Sequence, residues 1–212
     1  MHAAFTDGWW EGQLAEYRAV PIKSLIRFRA TKQGGILALK WFTPNQRERV
    51  ESNLKLVPRL FDGHPLKVLD VGCGMVGHGA ACRWLGHQAV GTDLPQGKFS
   101  PIAKYMRIPI FDYAIGQDER LPFADNCFDV VLCICVLIQK EPGFRRLIPG
   151  AMLELARVTK HGGQILAGWW KDNGTQHWLP EFLPKGCTET TVKRDYSDDH
   201  EYTFKLLTKD ET

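Results

Sequence analysis

The sequence lacks several things that would have placed it quickly. It has no apolar run long enough to cross a membrane: the longest, Val130 to Ile138, is far short of the roughly 20 residues a spanning helix needs. No basic stretch followed by an apolar one opens the chain, so no secretory signal is expected and the cytoplasm is the expected compartment. The six cysteines contain no C-x-x-C pair. Cys133 and Cys135 sit two apart inside an apolar run, with no histidine near them in sequence, so no metal site is expected and the thiols read as reduced core residues. Internal repeats and low-complexity linkers are missing, which excludes solenoids and tethered modules. From Tyr17 to Arg47 there is no acid at all, against seven bases: Arg18, Lys23, Arg27, Arg29, Lys32, Lys40 and Arg47. Such a stretch suits a solvated helical face or a patch for an anionic partner. Over the whole chain the formal charge is only +3, too little to imply nucleic acid.

What is present is a 212-residue chain, 44% hydrophobic and 24% charged, large enough for one full-cored domain. Its organising stretch is Val68-Leu69-Asp70-Val71-Gly72-Cys73-Gly74-Met75-Val76-Gly77-His78-Gly79. Apolar residues and one acid run into a glycine cluster, and Ala80 to Leu85 follow as a helix start. That is a buried strand, a tight turn and a helix N-terminus.

Around it the chain divides into a helical extension or cap over residues 1–65 and an α/β unit over residues 66–212. In the extension, helices are expected over about Glu11 to Val20, over Ile22 to Thr31, and from Thr43-Pro44 onward. Val50, Leu54, Val57 and Leu60 share one face of this last helix, and Pro58 ends or kinks it. In the unit, strands are expected at His87–Asp93, Ile108–Ile115, Phe128–Cys135 and Gln164–Trp170. A helix over Phe144–Lys160 is closed by Gly162-Gly163. Residues 171–187 read as loop, and Thr188–Tyr196 with Glu201–Thr208 as a terminal antiparallel hairpin. Helices followed by alternating β and α units indicate a three-layer, Rossmann-like α/β fold with a mostly parallel sheet.

The spacing Gly72-x-Gly74-x-x-Gly77 matches a dinucleotide fingerprint. Asp70 argues against a dinucleotide, because an acid there would repel a pyrophosphate. It suits a ligand carrying an ammonium and a sulfonium instead. Asp93 lies 23 residues later, at the end of the next strand, where an acid suits a ribose diol in either case.

These residues resemble motif I of the class I S-adenosylmethionine-dependent methyltransferases, commonly L-D-x-G-C-G-x-G. The likeness continues through Gly91-Thr92-Asp93-Leu94, through Leu121-Pro122-Phe123-Ala124-Asp125 to Phe128-Asp129-Val130-Val131, and through Leu153-Glu154-Leu155-Ala156-Arg157-Val158 to Gly162-Gly163. The resemblance implies a seven-stranded sheet and S-adenosylmethionine as cofactor, with S-adenosylhomocysteine as product. It also implies roles: Asp70, Gly72, Cys73, Gly74 and Gly77 at the methionyl end, Asp93 on the ribose, Leu94 on adenine, Gln117 and Asp118 at the adenine edge, and Cys135 and Val136 at the reactive end. His78 lies beside the loop, within reach of the carboxylate.

There are departures. The usual third glycine falls at Val76, and here the glycine comes one later, at Gly77, which predicts a slightly re-routed loop. Where relatives carry Leu-Glu-His, this chain has Leu137-Ile138-Gln139, which removes a common acid–base candidate. His161 replaces a usual proline and is expected at a helix C-terminus. His177 is the remaining candidate base. Neither an Asn-Pro-Pro-Tyr signature nor a cysteine pair for cytosine methylation is present. The expected activity is therefore methyl transfer to a small molecule, first of all a sugar or secondary-metabolite hydroxyl. The basic extension makes an anionic acceptor attractive. An RNA or protein methyltransferase docking through Arg18 to Arg47 stands second, and a non-catalytic methyltransferase-like subunit third. Trp169-Trp170, ending a strand, are expected to border the acceptor pocket. The sequence does not specify the oligomeric state.

Overall fold

A computed structural model of the chain describes residues 44–74, 76–94, 107–113, 120–134, 136, 148–170, 183–195 and 201–211. The described elements are α1 (Pro44–Leu54), a 3-10 turn (Pro58–Phe61), β1 (Lys67–Val71), α2 (Gly77–Trp84), β2 (Gln88–Asp93), β3 (Ile110–Asp112), β4 (Phe128–Ile134), α3 (Ile148–Val158), β5 (Thr159–Trp170), β6 (Cys187–Asp195) and β7 (Glu201–Lys209). The strands form one seven-stranded sheet in the order β3-β2-β1-β4-β5-β7-β6. β1 to β5 run parallel, and β7 lies antiparallel between β5 and β6. The expected mostly parallel sheet with a terminal hairpin is thus present. The expected helices before residue 43 and the loop over residues 171–182 lie outside the described residues.

Strand alternation sorts the core into two layers. Leu69, Val71, Val131, Cys133, Ile165 and Ala167 face one way and are covered by Met152, Leu155 and Val158 of α3. Val68, Val130, Leu132, Leu166 and Phe204 face the other way and are covered by Ala81 and Cys82 of α2. Val50, Leu54, Val57 and Leu60, the apolar face of the α1 region, join this second layer and are all at most 2% exposed. The core therefore does not divide at residue 65. His87 ties the same region down: its Nδ1 accepts the Leu66 N–H and its Nε2 donates to the Leu60 carbonyl at 2.9 Å.

Three expected boundaries shift for identifiable reasons. α1 stops at Leu54, because the Pro58 ring cannot continue a helix, and a 3-10 turn follows. β3 begins only after Pro109, which has no N–H to give a ladder and instead accepts from Gly91 N at 2.8 Å. Gly162-Gly163 do not close a helix. α3 ends at Val158, and the glycines form an irregularity inside β5, where β4 advances from Phe128 to Val130 while β5 advances from Thr159 to Gln164. A Cβ at Gly163 would sit 2.8 Å from the Lys160 carbonyl and 2.9 Å from that of Asp129. His161 accordingly lies in β5, its Nδ1 paired with the Asp210 carbonyl at 2.9 Å.

Two phrases of the family pattern prove to hold each other. The Arg157 guanidinium donates to Glu154, to Asp125 Oδ1 at 2.6 Å, and to the carbonyls of Phe123 and Leu121. Glu154 Oε2 in turn accepts Leu121 N at 2.9 Å. The Leu121-Pro122-Phe123 segment is thus clamped onto the last turn of α3. Asp129 does the same at the amino ends of the strands, accepting Lys67 N and Lys160 Nζ, both at 2.8 Å. Replacing Arg157 with Ala removes the charged partner of largely buried Glu154, which keeps Leu121 N, and takes a donor from the Phe123 and Leu121 carbonyls, the latter keeping Phe123 N. We expect a loss of about 3 kcal/mol in denaturant unfolding. Lysine cannot supply the fork and is expected to rescue little of it. A loss below about 0.5 kcal/mol, the range of an ordinary surface change, would show the clamp to be incidental.

Candidate cofactor site

The strand order reverses between β1 and β4, and in open parallel sheets the ligand crevice lies outside the carboxyl ends of the strands at such a point. Here the two segments leaving the sheet touch. Gly72, directly after β1, has φ +65°, and a Cβ on it would run into the Val136 side chain, which follows β4. Glycine is therefore required at this position by both conformation and space.

The loop after β1 is laced to β2. Cys73 N donates to the Thr92 carbonyl at 2.9 Å, and the Cys73 thiol lies over Gly91, where a Cβ would be 2.7 Å from its Sγ. Gly74 N donates to Asp93 Oδ2, and Leu94 N donates to Asp93 Oδ1, both at 2.7 Å. The Asp93 carboxylate is held in a fixed orientation at the end of β2, with lone pairs left over for a further donor. Beside it, Leu94 is 61% exposed, an apolar surface at the mouth of the crevice.

Asp70 occupies the other side of the site. It is 2% exposed, and its Oδ2 accepts the Gly79 N–H at 3.2 Å. Helix α2 has no side-chain cap of its own, since Val76 precedes it, so Asp70 supplies that cap from β1. Burial raises the Asp70 carboxyl to about 7, opposed by the Gly79 hydrogen bond and reinforced by the Asp93 charge.

The displaced glycine has a definite outcome. Val76 itself takes the left-handed conformation, with φ 55° and ψ 24°, while its carbonyl accepts Ala80 N and opens the helix. The loop thus follows a glycine path without the glycine, and Gly77 is simply the first helical residue. A branched residue there costs about 1–2 kcal/mol. The Val76 side chain is fully buried, which contributes about 2 kcal/mol in return.

Asp70, Gly72, Cys73, Gly74, Gly77, Asp93 and Leu94 are thus gathered at one end of the sheet. His78 needs correction: its side chain does not face the loop. It is buried against α1, where Asn53 Nδ2 lies 3.1 Å from its Nε2. Burial and the Arg49 charge lower its pKa to about 4, so the ring is neutral, accepts from Asn53 and serves to dock α2 on α1. Asn53 was not singled out from the sequence. The available signal was a polar residue directly beside Leu54 on the face that α1 buries. Gln117, Asp118, Cys135 and His177 lie outside the described residues, as do most of the basic stretch and the side chains of Trp169 and Trp170. Among the described residues no cluster of His, Cys, Asp or Glu could hold a metal, and no helix is long and apolar enough to cross a membrane.

An open parallel sheet with a glycine turn, a buried acid at the end of β1 and an oriented acid at the end of β2 is the arrangement that the sequence resemblance implies. Residues 69–167 match the family model described as a methyltransferase domain, and the similarities together support a class I S-adenosylmethionine-dependent methyltransferase. Over 102 residues the chain is 37% identical to a phthiotriol/phenolphthiotriol dimycocerosates methyltransferase of Mycobacterium tuberculosis, covering 46% of this chain and 35% of that one. Over 112 residues it is 34% identical to a malonyl-[acyl-carrier protein] O-methyltransferase of Erwinia pyrifoliae, covering 53% and 40%. The chain thus spans well under half the length of these relatives. Among solved structures, the 1,6-didemethyltoxoflavin-N1-methyltransferase of Burkholderia thailandensis, with bound S-adenosylhomocysteine, shares the fold. Its TM-score is 0.57 at 15% identity, over 76% of this chain and 78% of that one.

The residues fit the cofactor on two observations: a buried carboxylate with no counter-charge among the described residues, and an exposed leucine directly after a fixed acid.

Proposed function

We propose that this chain transfers a methyl group from S-adenosylmethionine to a hydroxyl of a small molecule, a sugar or secondary metabolite. The single observation that carries the cofactor half is the pair of acids at adjacent strand ends, Asp70 buried and Asp93 oriented beside exposed Leu94. In this reading Asp93 binds the ribose diol, Leu94 packs on adenine, and Gln117 and Asp118 read the adenine edge. Asp70, Gly72, Cys73, Gly74 and Gly77 surround the methionyl end, and Cys135 and Val136 border the reactive side.

The cofactor supplies an activated methyl group on a sulfonium, so no protein nucleophile is needed. The chain's residues orient the acceptor oxygen in line with the methyl and sulfur, and they keep water out. Forming the O–CH3 bond would break the CH3–S bond and release S-adenosylhomocysteine, and the proton of the hydroxyl would pass to His177, its proposed acceptor.

An oxygen acceptor, though a carboxylate rather than a hydroxyl one, is what the name of one relative supports, a malonyl-[acyl-carrier protein] O-methyltransferase. The small-molecule assignment rests on the relatives as a group. The basic stretch from Arg18 to Arg47 favours an anionic acceptor. Incubation with methyl-labelled S-adenosylmethionine and separate fractions of metabolites, RNA and protein tests the reading. Label is expected in the metabolite fraction, on an oxygen. Label in RNA or protein would replace this reading with one in which the basic stretch docks a macromolecule, and label in none would favour a non-catalytic binder.

A further inference from the structure

Asp70 is an acid in a place that offers its charge almost nothing. Its own strand flanks it with Leu69 and Val71, and its register partners are Gly91 on β2 and Leu132 on β4. From α2 it meets the Gly79 N–H, and its charge reaches the Cys82 thiol. The glycine loop brings the Cys73 thiol, and the segment before β3 brings Ile108, whose Cδ1 lies against the same Gly79 position. Burial pushes both thiols well above their usual range, so they are neutral neighbours. The one other charge acting on Asp70 among the described residues is the Asp93 carboxylate, of the same sign. His78, on the same helix, turns its neutral ring to Asn53, and Arg49 of α1 acts on that ring. No ion pair among the described residues includes Asp70.

A helix N-terminus is the one favourable partner in this environment, through one hydrogen bond. A buried acid so placed holds its proton up to about pH 7 unless a cation arrives. We infer that a cationic ligand entering at the end of β1 displaces a proton from Asp70, so that cofactor binding is proton-coupled and Asp70 selects the site's occupant by charge. This rests on the proposed function for the identity of the ligand. The proton leaves to solvent, and the Asp70 carboxylate then faces the ligand's cationic end while keeping its cap on Gly79.

The test is calorimetric titration of the full chain with S-adenosylmethionine at pH 6.5, in buffers of different ionisation enthalpy. About three quarters of a proton is expected to be released per ligand bound, for a group titrating near pH 7. Neutral 5′-methylthioadenosine is expected to release none. Affinity for S-adenosylmethionine is expected to rise about tenfold from pH 6 to pH 8. In Asp70→Asn, whose amide oxygen can still cap Gly79, the proton release and pH-dependence that Asp70 contributes vanish. Comparison with this variant at each pH cancels the ligand's own ionisation, and circular dichroism verifies that it folds. The buffer series on the unaltered protein is decisive even without the variant. Binding without a buffer-dependent enthalpy would overturn the coupling and leave the methyltransferase reading intact. No binding at millimolar ligand would overturn both.

Discussion

Asp93→Ala is expected to weaken S-adenosylmethionine binding about 100-fold or more. A carboxylate accepting from two ribose hydroxyls makes charge-assisted hydrogen bonds of about 1.5–3 kcal/mol each, and 1.4 kcal/mol is a factor of ten. The structure adds a second loss. Asp93 also accepts Gly74 N, so the substitution removes one tie of the glycine loop to β2 and leaves the one from Cys73 N to the Thr92 carbonyl. Asparagine is not a mild replacement. Both carboxylate oxygens accept backbone N–H groups, from Gly74 and from Leu94, so an amide nitrogen must face one donor with another. Asp93→Asn is therefore expected to bind poorly as well. Direct titration of both variants, beside their melting curves, separates ligand contact from loop anchoring. Affinity unchanged within threefold in a folded Asp93→Ala variant would remove Asp93 from the ribose.

Asp70→Asn is expected to make the unliganded protein more stable at pH 8, by on the order of 3–4 kcal/mol. The folded carboxyl titrates at about 7 against an ordinary 3.8, because burial penalises the charge. Between those values the native state holds a proton that the unfolded chain has released, so stability falls as pH rises. The contribution is complete below about pH 4, declines through the interval and is gone above about pH 7. Asparagine does not titrate there. Its advantage should be near zero at pH 4, grow to pH 7 and then level off. Denaturant unfolding of both proteins across this range measures the difference directly. A constant difference, or one that shrinks toward pH 8, would contradict the burial argument. The same residue would then be costly to the empty fold and required by the ligand, which is how functional sites depart from the stability optimum.

The fold was legible where one physical signal dominated. Short apolar runs at Val68–Val71 and Phe128–Ile134, each interrupted by one aspartate, read as buried parallel strands, and the apolar face of α1 shows in the spacing of Val50, Leu54 and Val57. Boundaries failed where a residue has two uses. Gly162-Gly163 look like a helix stop, yet Gly162 takes φ +69° and the missing side chain of Gly163 makes room for β5 to pass Asp129. Pro109 truncates β3 because a ladder needs its absent N–H.

At the site, Asp70 and Asp93 were readable as charges at strand ends, since chemistry and position coincide there. The path of the loop was not. Nothing in the sequence says that a buried valine will take the left-handed conformation, because that depends on the pocket that receives Val76. His78 was misplaced for a similar reason. Its neighbour in sequence is the glycine loop, but its neighbour in space is Asn53, 25 residues earlier. Arg157 and Glu154 show the converse: residues of a family pattern whose work in this chain is to hold the Leu121–Phe123 segment.

The central claim is that the crevice at the ends of β1 and β2 holds S-adenosylmethionine. Isothermal titration of the purified chain with S-adenosylmethionine, S-adenosylhomocysteine and NAD tests it most directly. The account predicts saturable one-to-one binding of the first two at micromolar concentrations, lost in Asp93→Ala, and none of NAD. Binding of NAD, or no binding of either adenosyl ligand at millimolar concentration, would contradict it.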